Sequence, residues 1–516
     1  MYPGVHAVAR AHVPVQIMAR SGEVLTYAEF EARANRLAHW FRRFGLKRLD
    51  HYAVFMENHP RFIECGAAGE RSGLYYTYVN SYLTADELAY ILNNCEAQAI
   101  VTSRSRLATT LEAMRSAPRV RACLVVDAPG DGDRVLNLDE ATADCPSTPL
   151  ADERIGAAML YSSGSTGQPK GILRPLPDQS PADPLPIHQF FWKHWRLQER
   201  LTYLVPAPLY HSAPAAATGL TIRGGGTVIV REKFDAEEML ALIERHRVQH
   251  VQVVPTMFSR LLKLPEATRR RYDLSSLELV LHGAAPCPIP VKQAMIDWLG
   301  PILLEYYRAT EGMGIVTCDS QQWLAHRGTV GKAVFGEAHI LDDEGQELPP
   351  GRIGKVWFKS PVRIAYFHDE AKSAKANSAD GTMSTVGDVG YLDEEGYLYL
   401  TDRAAFMIIS GGVNIYPQDC ENLLVTHPKV ADAAVFGVPN DDLGEEVKAV
   451  VQPAPGVASG PELEAELMEF CRAHLAHLKC PRSVDFEADF PRLPTGKLYT
   501  QPLRDRYWQG HRSRIL

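Results

Sequence analysis

The run Tyr161-Ser162-Ser163-Gly164-Ser165-Thr166-Gly167-Gln168-Pro169-Lys170-Gly171 concentrates more polar chemistry than any other stretch of the chain. Glycines let backbone N–H groups turn toward an anion, the four hydroxyls add donors, and Lys170 adds charge. A cradle for two or three linked phosphates needs that inventory. It is not a Walker loop, which has Gly-Lys-Ser/Thr contiguous at a helix start; here Gln168 and Pro169 separate Gly167 from Lys170. The bland alternative is a solvated loop of small polar residues. Other candidates are weaker when taken singly. His211 after a proline-flanked apolar run reads as structural, Tyr306-Tyr307 as core, Asp388 as a turn carboxylate and Lys497 as a surface charge.

Alternating helix and strand signals must position the loop. Thr26-Tyr27-Ala28-Glu29 and Thr84-Ala85-Asp86-Glu87 are capping boxes, each opening a helix with apolar residues at helical spacing, and Gly45 offers the first helix a stop. Short apolar runs at 99–102 and 123–126 read as buried strands, which predicts an α/β architecture with parallel sheet, and a further apolar run at 157–160 leads directly into the loop. Between about 328 and 400 the texture changes to short β-like runs (338–341, 355–358, 397–400) separated by glycine turns, a compact and mostly antiparallel unit. Strands at 430–438 and 447–451 and a helix over 462–478 then predict a terminal unit with its own small core.

Composition bounds the function. A chain of 516 residues, 46% hydrophobic and 22% charged, fits a multi-domain globular protein. A net charge of -8 without a basic stripe argues against nucleic acid as the main partner. No secretory leader is visible in the first thirty residues, and no stretch approaches the ~20 apolar residues of a membrane span. Nine scattered cysteines without a Cys-x-x-Cys pair fit reduced thiols and a cytoplasmic location.

The string at 161–171 closely resembles the phosphate loop of the AMP-forming adenylating superfamily: acyl-CoA synthetases, adenylation domains of peptide synthetases, and firefly-type luciferases. Further motifs of that family follow in order over nearly the whole chain. They are Pro208-Leu209-Tyr210-His211-Ser212-Ala213, His282-Gly283-Ala284-Ala285-Pro286, Tyr306-Tyr307-Arg308-Ala309-Thr310-Glu311-Gly312, Gly387-Asp388, Asp402-Arg403, Ser410-Gly411-Gly412 and Pro494-Thr495-Gly496-Lys497. The resemblance implies a large N-terminal domain of α/β subdomains with a small β-barrel-like subdomain (1–401), a hinge at 402–405, and a small mobile α+β domain (406–516).

It also implies roles. His211 would lie by the substrate carboxylate; Gly283, Ala284 and Ala285 would let adenine approach backbone, with Tyr307 stacked on it. Thr310 would contact the α-phosphate and Glu311 would ligate Mg²⁺, an oxygen ligand for a hard cation. Asp388 would hold the ribose hydroxyls, Arg403 ribose and phosphate, and the turn 410–412 would line the pantetheine tunnel. Lys497 would bridge the attacking and α-phosphate oxygens, then leave as the terminal domain rotates. His211, Met257, Tyr306 and Arg308 would border the acid. Two positions depart from the pattern: Arg308 replaces the usual Gly, and Ala405 the usual hinge Asp or Lys. Arg308 either polarises and shortens the acyl tunnel or points to solvent.

The implied reaction is ligation of a carboxylic acid to coenzyme A through acyl-AMP, with ATP and Mg²⁺ as further requirements. The overall texture resembles bacterial fatty acyl- and feruloyl-CoA synthetases, and the acid expected is aryl or arylpropenoic, such as ferulic. Alternatives are a medium- or long-chain fatty acid, loading of a carrier protein in trans, or luciferase-type oxidation. Oligomeric state is not legible.

Overall fold

A computed structural model describes residues 3–162, 169–183, 185–262, 264–284, 287, 289–342, 344–403, 408–415, 417–424, 427–454, 456–490 and 501–509. Nine strands form the largest sheet, in the order Lys332–Phe335, Ile315–Asp319, Leu303–Arg308, Leu279–Gly283, His250–Val253, Thr202–Val205, Thr227–Val230, Pro14–Met18 and Val24–Thr26. The six from Leu303–Arg308 to Pro14–Met18 pair in parallel and the flanking ones antiparallel. A second sheet has six parallel strands, ordered Val135–Asn137, Ala122–Val126, Ala99–Ser103, His51–Phe55, Tyr75–Tyr78 and Ala157–Ala158. Its central strands are buried along their whole length, as a parallel sheet covered on both faces requires. The α/β expectation holds. One apolar cluster joins both sheets, running from Tyr52 and Val54 through Phe41 to Tyr203 and Val228.

Both capping boxes form. Thr26 Oγ1 accepts from the Glu29 N–H while Glu29 Oε2 accepts from the Thr26 N–H, opening the helix Tyr27–Phe44, which Gly45 ends at φ 95°. Thr84 and Glu87 repeat the exchange at the start of Ala85–Asn94. That second helix sets the phosphate-loop hairpin. Asn94 accepts from the Tyr161 hydroxyl at 2.5 Å, and Tyr90, one turn earlier, donates to the Pro169 carbonyl at 3.0 Å. The two hairpin strands, Leu160–Ser162 and Lys170–Ile172, pair antiparallel.

The β-rich stretch forms a five-stranded antiparallel sheet of Glu337–Leu341, Gly354–Lys359, Met383–Ser384, Asp388–Leu392 and Leu398–Arg403. Lys332–Phe335, within the 328–400 stretch, pairs with Ile315–Asp319 and extends the large sheet instead. In the terminal part, Val430–Asn440 and Gly444–Pro453 form a long hairpin flanked by Ile408–Ser410, Val413–Ile415 and Ser483–Phe486. The helix expected over 462–478 is Pro461–His474 and stops early, because Leu475 is extended (φ -125°, ψ 155°). The chain there turns outward to bury Ala476 in the core cluster of the six-stranded sheet, and Leu478 packs against both this cluster and the terminal one. Among the described residues no helix is long and apolar enough to cross a membrane.

Candidate active site

The hairpin, the large sheet, the small antiparallel sheet and the terminal unit meet around a cavity of about 480 Å³. The strand Leu303–Arg308 divides it, since alternate side chains of a strand point to opposite faces. Tyr306 and Arg308 face an aromatic wall: Trp195 is 5.6 Å from Tyr306 between ring centroids, and the Arg308 guanidinium lies 4.9 Å over Phe191. Glu305 and Tyr307 face the other way, toward Lys292 and Asp388.

At the end of this strand, Thr310 and Glu311 line the cavity beside Lys170. Buried Glu311 accepts from the Tyr366 hydroxyl at 3.0 Å, and the Lys170 ammonium stands 4.6 Å over the Tyr366 ring. Arg174 donates to the Thr310 carbonyl at 2.7 Å, fixing the turn that carries Glu311. Burial pushes both cations below their ordinary pKa, with Lys372 adding to the effect on Lys170 and Glu311 opposing it for both. Lys170 and Arg174 thus both face Glu311, a local excess of positive charge suited to polyanionic phosphate. Among the described residues no group of three or more His, Cys, Asp or Glu could hold a metal alone. One cavity-lining carboxylate fits Mg²⁺, which keeps several waters and shares its shell with substrate phosphates.

On the acid side, His211 precedes the helix Ser212–Arg223 as its N-cap and lines the cavity. Burial lowers its pKa to about 4, so the imidazole is neutral at pH 7. A neutral imidazole can donate one hydrogen bond to a carboxylate without discharging it. Tyr306 accepts from Gln252 Nε2 at 2.6 Å, and Gln252 accepts from Tyr203 at 3.4 Å, giving this wall a buried polar chain. Arg308 lines the cavity, and burial, with Arg174 adding, lowers its pKa to about 10; it does not point to bulk solvent. Met257 needs correcting. It does not line the cavity but packs with Phe258, Leu261 and Met295 in the cluster behind the sheet, because a helix residue facing that layer cannot also face the site.

On the opposite face, the Tyr307 hydroxyl donates to Asp388 Oδ2 at 2.5 Å, and Asp388 stands in register with Arg403 on the neighbouring strand. Ala284 lines the cavity at φ 67° just past the strand Leu279–Gly283. A Cβ on Gly283 would lie 2.5 Å from the Tyr306 carbonyl oxygen, so only glycine fits there. Ser163, Gly164, Ser165, Thr166, Gly167, Ala285, Ala405 and Lys497, and the side chains of Ser162 and Arg403, lie outside the described residues.

The terminal unit closes the remaining side. Ile409, Gly412 and Val413 line the cavity, while Ser410 and Gly411 do not. A Cβ on Gly412 (φ 78°) would come within 2.9 Å of Val254, at the end of a large-sheet strand. Glu445, buried at the rim, accepts from the Ile409 N–H at 3.0 Å and pairs with Arg504 at 3.4 Å. Among the described residues two ion pairs hold the unit in place, Lys479 to Glu87 at 2.8 Å and Arg260 to Asp442 at 3.2 Å. Sequence reasoning missed Gln252, Glu445 and Lys479. Only Gln252 leaves a local signal, as a polar residue inside an otherwise apolar central strand.

The family model for AMP-binding enzymes matches residues 5–365, and that for their C-terminal domain matches 419–497. The chain belongs to the AMP-binding enzyme family. This ligase is 31% identical over 511 residues to a feruloyl-CoA synthase of an Amycolatopsis species, spanning 97% of this chain and 96% of that one. Among solved structures it superposes on the amide bond synthetase McbA of Marinactinospora thermotolerans with a TM-score of 0.84, at 28% identity over 98% of this chain and 100% of that one. The o-succinylbenzoate CoA synthetase of Bacillus subtilis gives two values. Bound to its product analogue OSB-NCoA, as a double mutant, it superposes at 0.80 (26% identity, 98% of each chain). In complex with its acyl-adenylate it superposes at 0.64 (25% identity, 100% of this chain and 99% of that one). The ligase is an acid–thiol ligase of the AMP-forming class, whose substrates are a small acid, ATP and CoA, with Mg²⁺.

Proposed function

We propose that the ligase couples an aryl or arylpropenoic acid with a polar far end to coenzyme A in two half-reactions. The acid's carboxylate oxygen attacks the α-phosphorus of ATP, forming acyl-AMP as pyrophosphate leaves. The CoA thiolate then attacks the acyl carbon, and AMP leaves. Neither step needs a protein nucleophile; positioning and charge neutralisation lower the barriers. In this reading Lys170 and the loop hydroxyls face the β- and γ-phosphates, Thr310 the α-phosphate, and His211 the acid carboxylate. Asp388 and Arg403 hold the ribose, Tyr307 and the 283–285 turn hold adenine, and Lys497 serves adenylation. Mg²⁺ on Glu311, when bound, supplies charge neutralisation for the phosphates.

The observation that supports the acid class is the wall of Tyr306, Trp195 and Phe191 capped by Arg308. Tyr306 and Arg308 occupy that face of the cavity, held in place by buried Trp195 and Phe191 behind them, which favours a compact ring over a long alkyl chain. Gly412 lining the cavity against Val254, and the better superposition on the product-analogue complex, favour the thioester-forming arrangement as the one described. We place the domain division at 402–405 and the protein in the cytoplasm, where its nine free cysteines stay reduced.

The test is product analysis with acetate, decanoate, palmitate, benzoate, 4-coumarate and ferulate, with and without CoA. AMP, pyrophosphate and an aryl-CoA are expected; ADP refutes the mechanism, and a preference for palmitate refutes the acid class. Lys497→Ala should lose adenylation by about 10²–10³-fold yet still convert supplied acyl-AMP with CoA.

A further inference from the structure

We infer that Arg308 selects an acid bearing a second carboxylate at the end remote from the reacting one, so that the substrate is an aromatic dicarboxylate. This rests on the reading above, which puts the acid on the Tyr306 face of the cavity. Arg308 is the last residue of its strand, lines the cavity and lies 4.9 Å over Phe191. Its Nε is closed off from solvent with no hydrogen-bond partner, and among the described residues no carboxylate pairs with it. The buried arginines Arg61, Arg71 and Arg223 are neutralised by Glu64, Glu31 and Glu70, whereas half-buried Arg308 has no such partner among the described residues. A buried charge without a counter-ion is costly, and here the shortfall opens onto a ligand cavity.

The charged neighbours sharpen the point. Arg174 repels Arg308, and Glu311, the carboxylate that acts on it among the described residues, is bonded to Tyr366 and also faces Lys170. In the reading above Lys170, Thr310 and Glu311 serve the ATP phosphates, whereas Arg308 packs over Phe191 on the Tyr306 face, where the acid is placed. A phenol is also a poor match. It is neutral below pH ~10 and leaves the guanidinium charge uncompensated, whereas a carboxylate supplies both the charge and a bidentate fork. Tyr306 and Gln252 line the cavity between the two ends, and buried Trp195 and Phe191 pack behind that wall.

The experiment compares matched acids, cinnamate with 4-carboxycinnamate and 3-phenylpropanoate with its 4-carboxy analogue, by AMP and acyl-CoA formation. The native enzyme, Arg308→Lys and Arg308→Gln are assayed, and ATP-induced thermal shift reports that each is folded. The native enzyme should favour each dicarboxylate by about 10²-fold in kcat/KM, as expected for a buried charge-assisted pair. Arg308→Lys should keep part of that ratio, and Arg308→Gln should bring it to within about 3-fold of unity. A native ratio at or below unity overturns the inference, even if every variant is unstable. So does a ratio that survives in Arg308→Gln, or a variant whose only change is a raised KM for ATP. AMP formation from monocarboxylates without dicarboxylate preference sinks this inference alone; no AMP from any acid sinks the ligase reading with it.

Discussion

The ion pair between Glu87 and Lys479 gives the sharpest test of how the terminal unit is held. Lys479 Nζ is 2.8 Å from Glu87 Oε1, and the two side chains are 14% and 15% exposed. Glu87 spends its other oxygen on the capping box, accepting from the Thr84 N–H at 2.9 Å. Glutamine can serve the same cap, so Glu87→Gln removes the charge and leaves the helix start intact. Fully exposed pairs contribute ~0.2–1 kcal/mol, while removing one partner of a fully buried pair costs ~3–5 kcal/mol. At this exposure about 1–2 kcal/mol is expected, equivalent to ~5–30-fold in the population of the docked arrangement. The more exposed Arg260–Asp442 pair should contribute under ~0.5 kcal/mol. The assay is single-turnover thioester formation from synthetic acyl-AMP and CoA, set against ATP–pyrophosphate exchange for the first step. Glu87→Gln and Lys479→Met should each slow thioester formation by ~5–30-fold, and the double variant should be no slower than the worse single one. Pyrophosphate exchange should change by under ~3-fold. Additive losses in the double variant, or equal losses in both half-reactions, would refute the idea that this contact selects an arrangement.

Gly283→Ala should be destabilising by about 1–3 kcal/mol in urea unfolding, because its methyl would meet the Tyr306 backbone oxygen in a paired strand that cannot yield; a neutral result would mean that the sheet shifts. Burial lowers the pKa of His51, His188, His211 and His250 to about 4. The unfolded chain therefore binds protons below pH ~6.5 that the folded chain refuses. Stability should be fully present above that pH and fall as pH drops toward 4, and denaturant midpoints between pH 7 and 4.5 check the slope. For the same reason His211 should add no inflection near pH 6.5 to the adenylation rate, and an inflection there that His211→Gln abolishes would contradict its neutral state.

The features legible in the residues were those whose physics is local. Thr26 with Glu29 and Thr84 with Glu87 are capping boxes because each reciprocal bond spans three residues, and nothing distant has to agree. The Gly, Ser and Thr content around Lys170 declares an anion loop for the same reason, and the order of the motifs carries the family. What crosses the chain was not legible. Lys332–Phe335 joined the large sheet because its partner Ile315–Asp319 offered an open edge, and the last helix stopped at His474 because Ala476 found its burial in another unit. Met257 belongs to an apolar layer and not to the acid pocket, which depends on the rotation of its helix against the sheet. Arg308 is visible in the sequence as a departure. Only the tertiary structure puts it on the Tyr306 face over Phe191 with no carboxylate paired to it among the described residues, because which groups surround a side chain is decided by strand pairing and packing between segments more than a hundred residues apart.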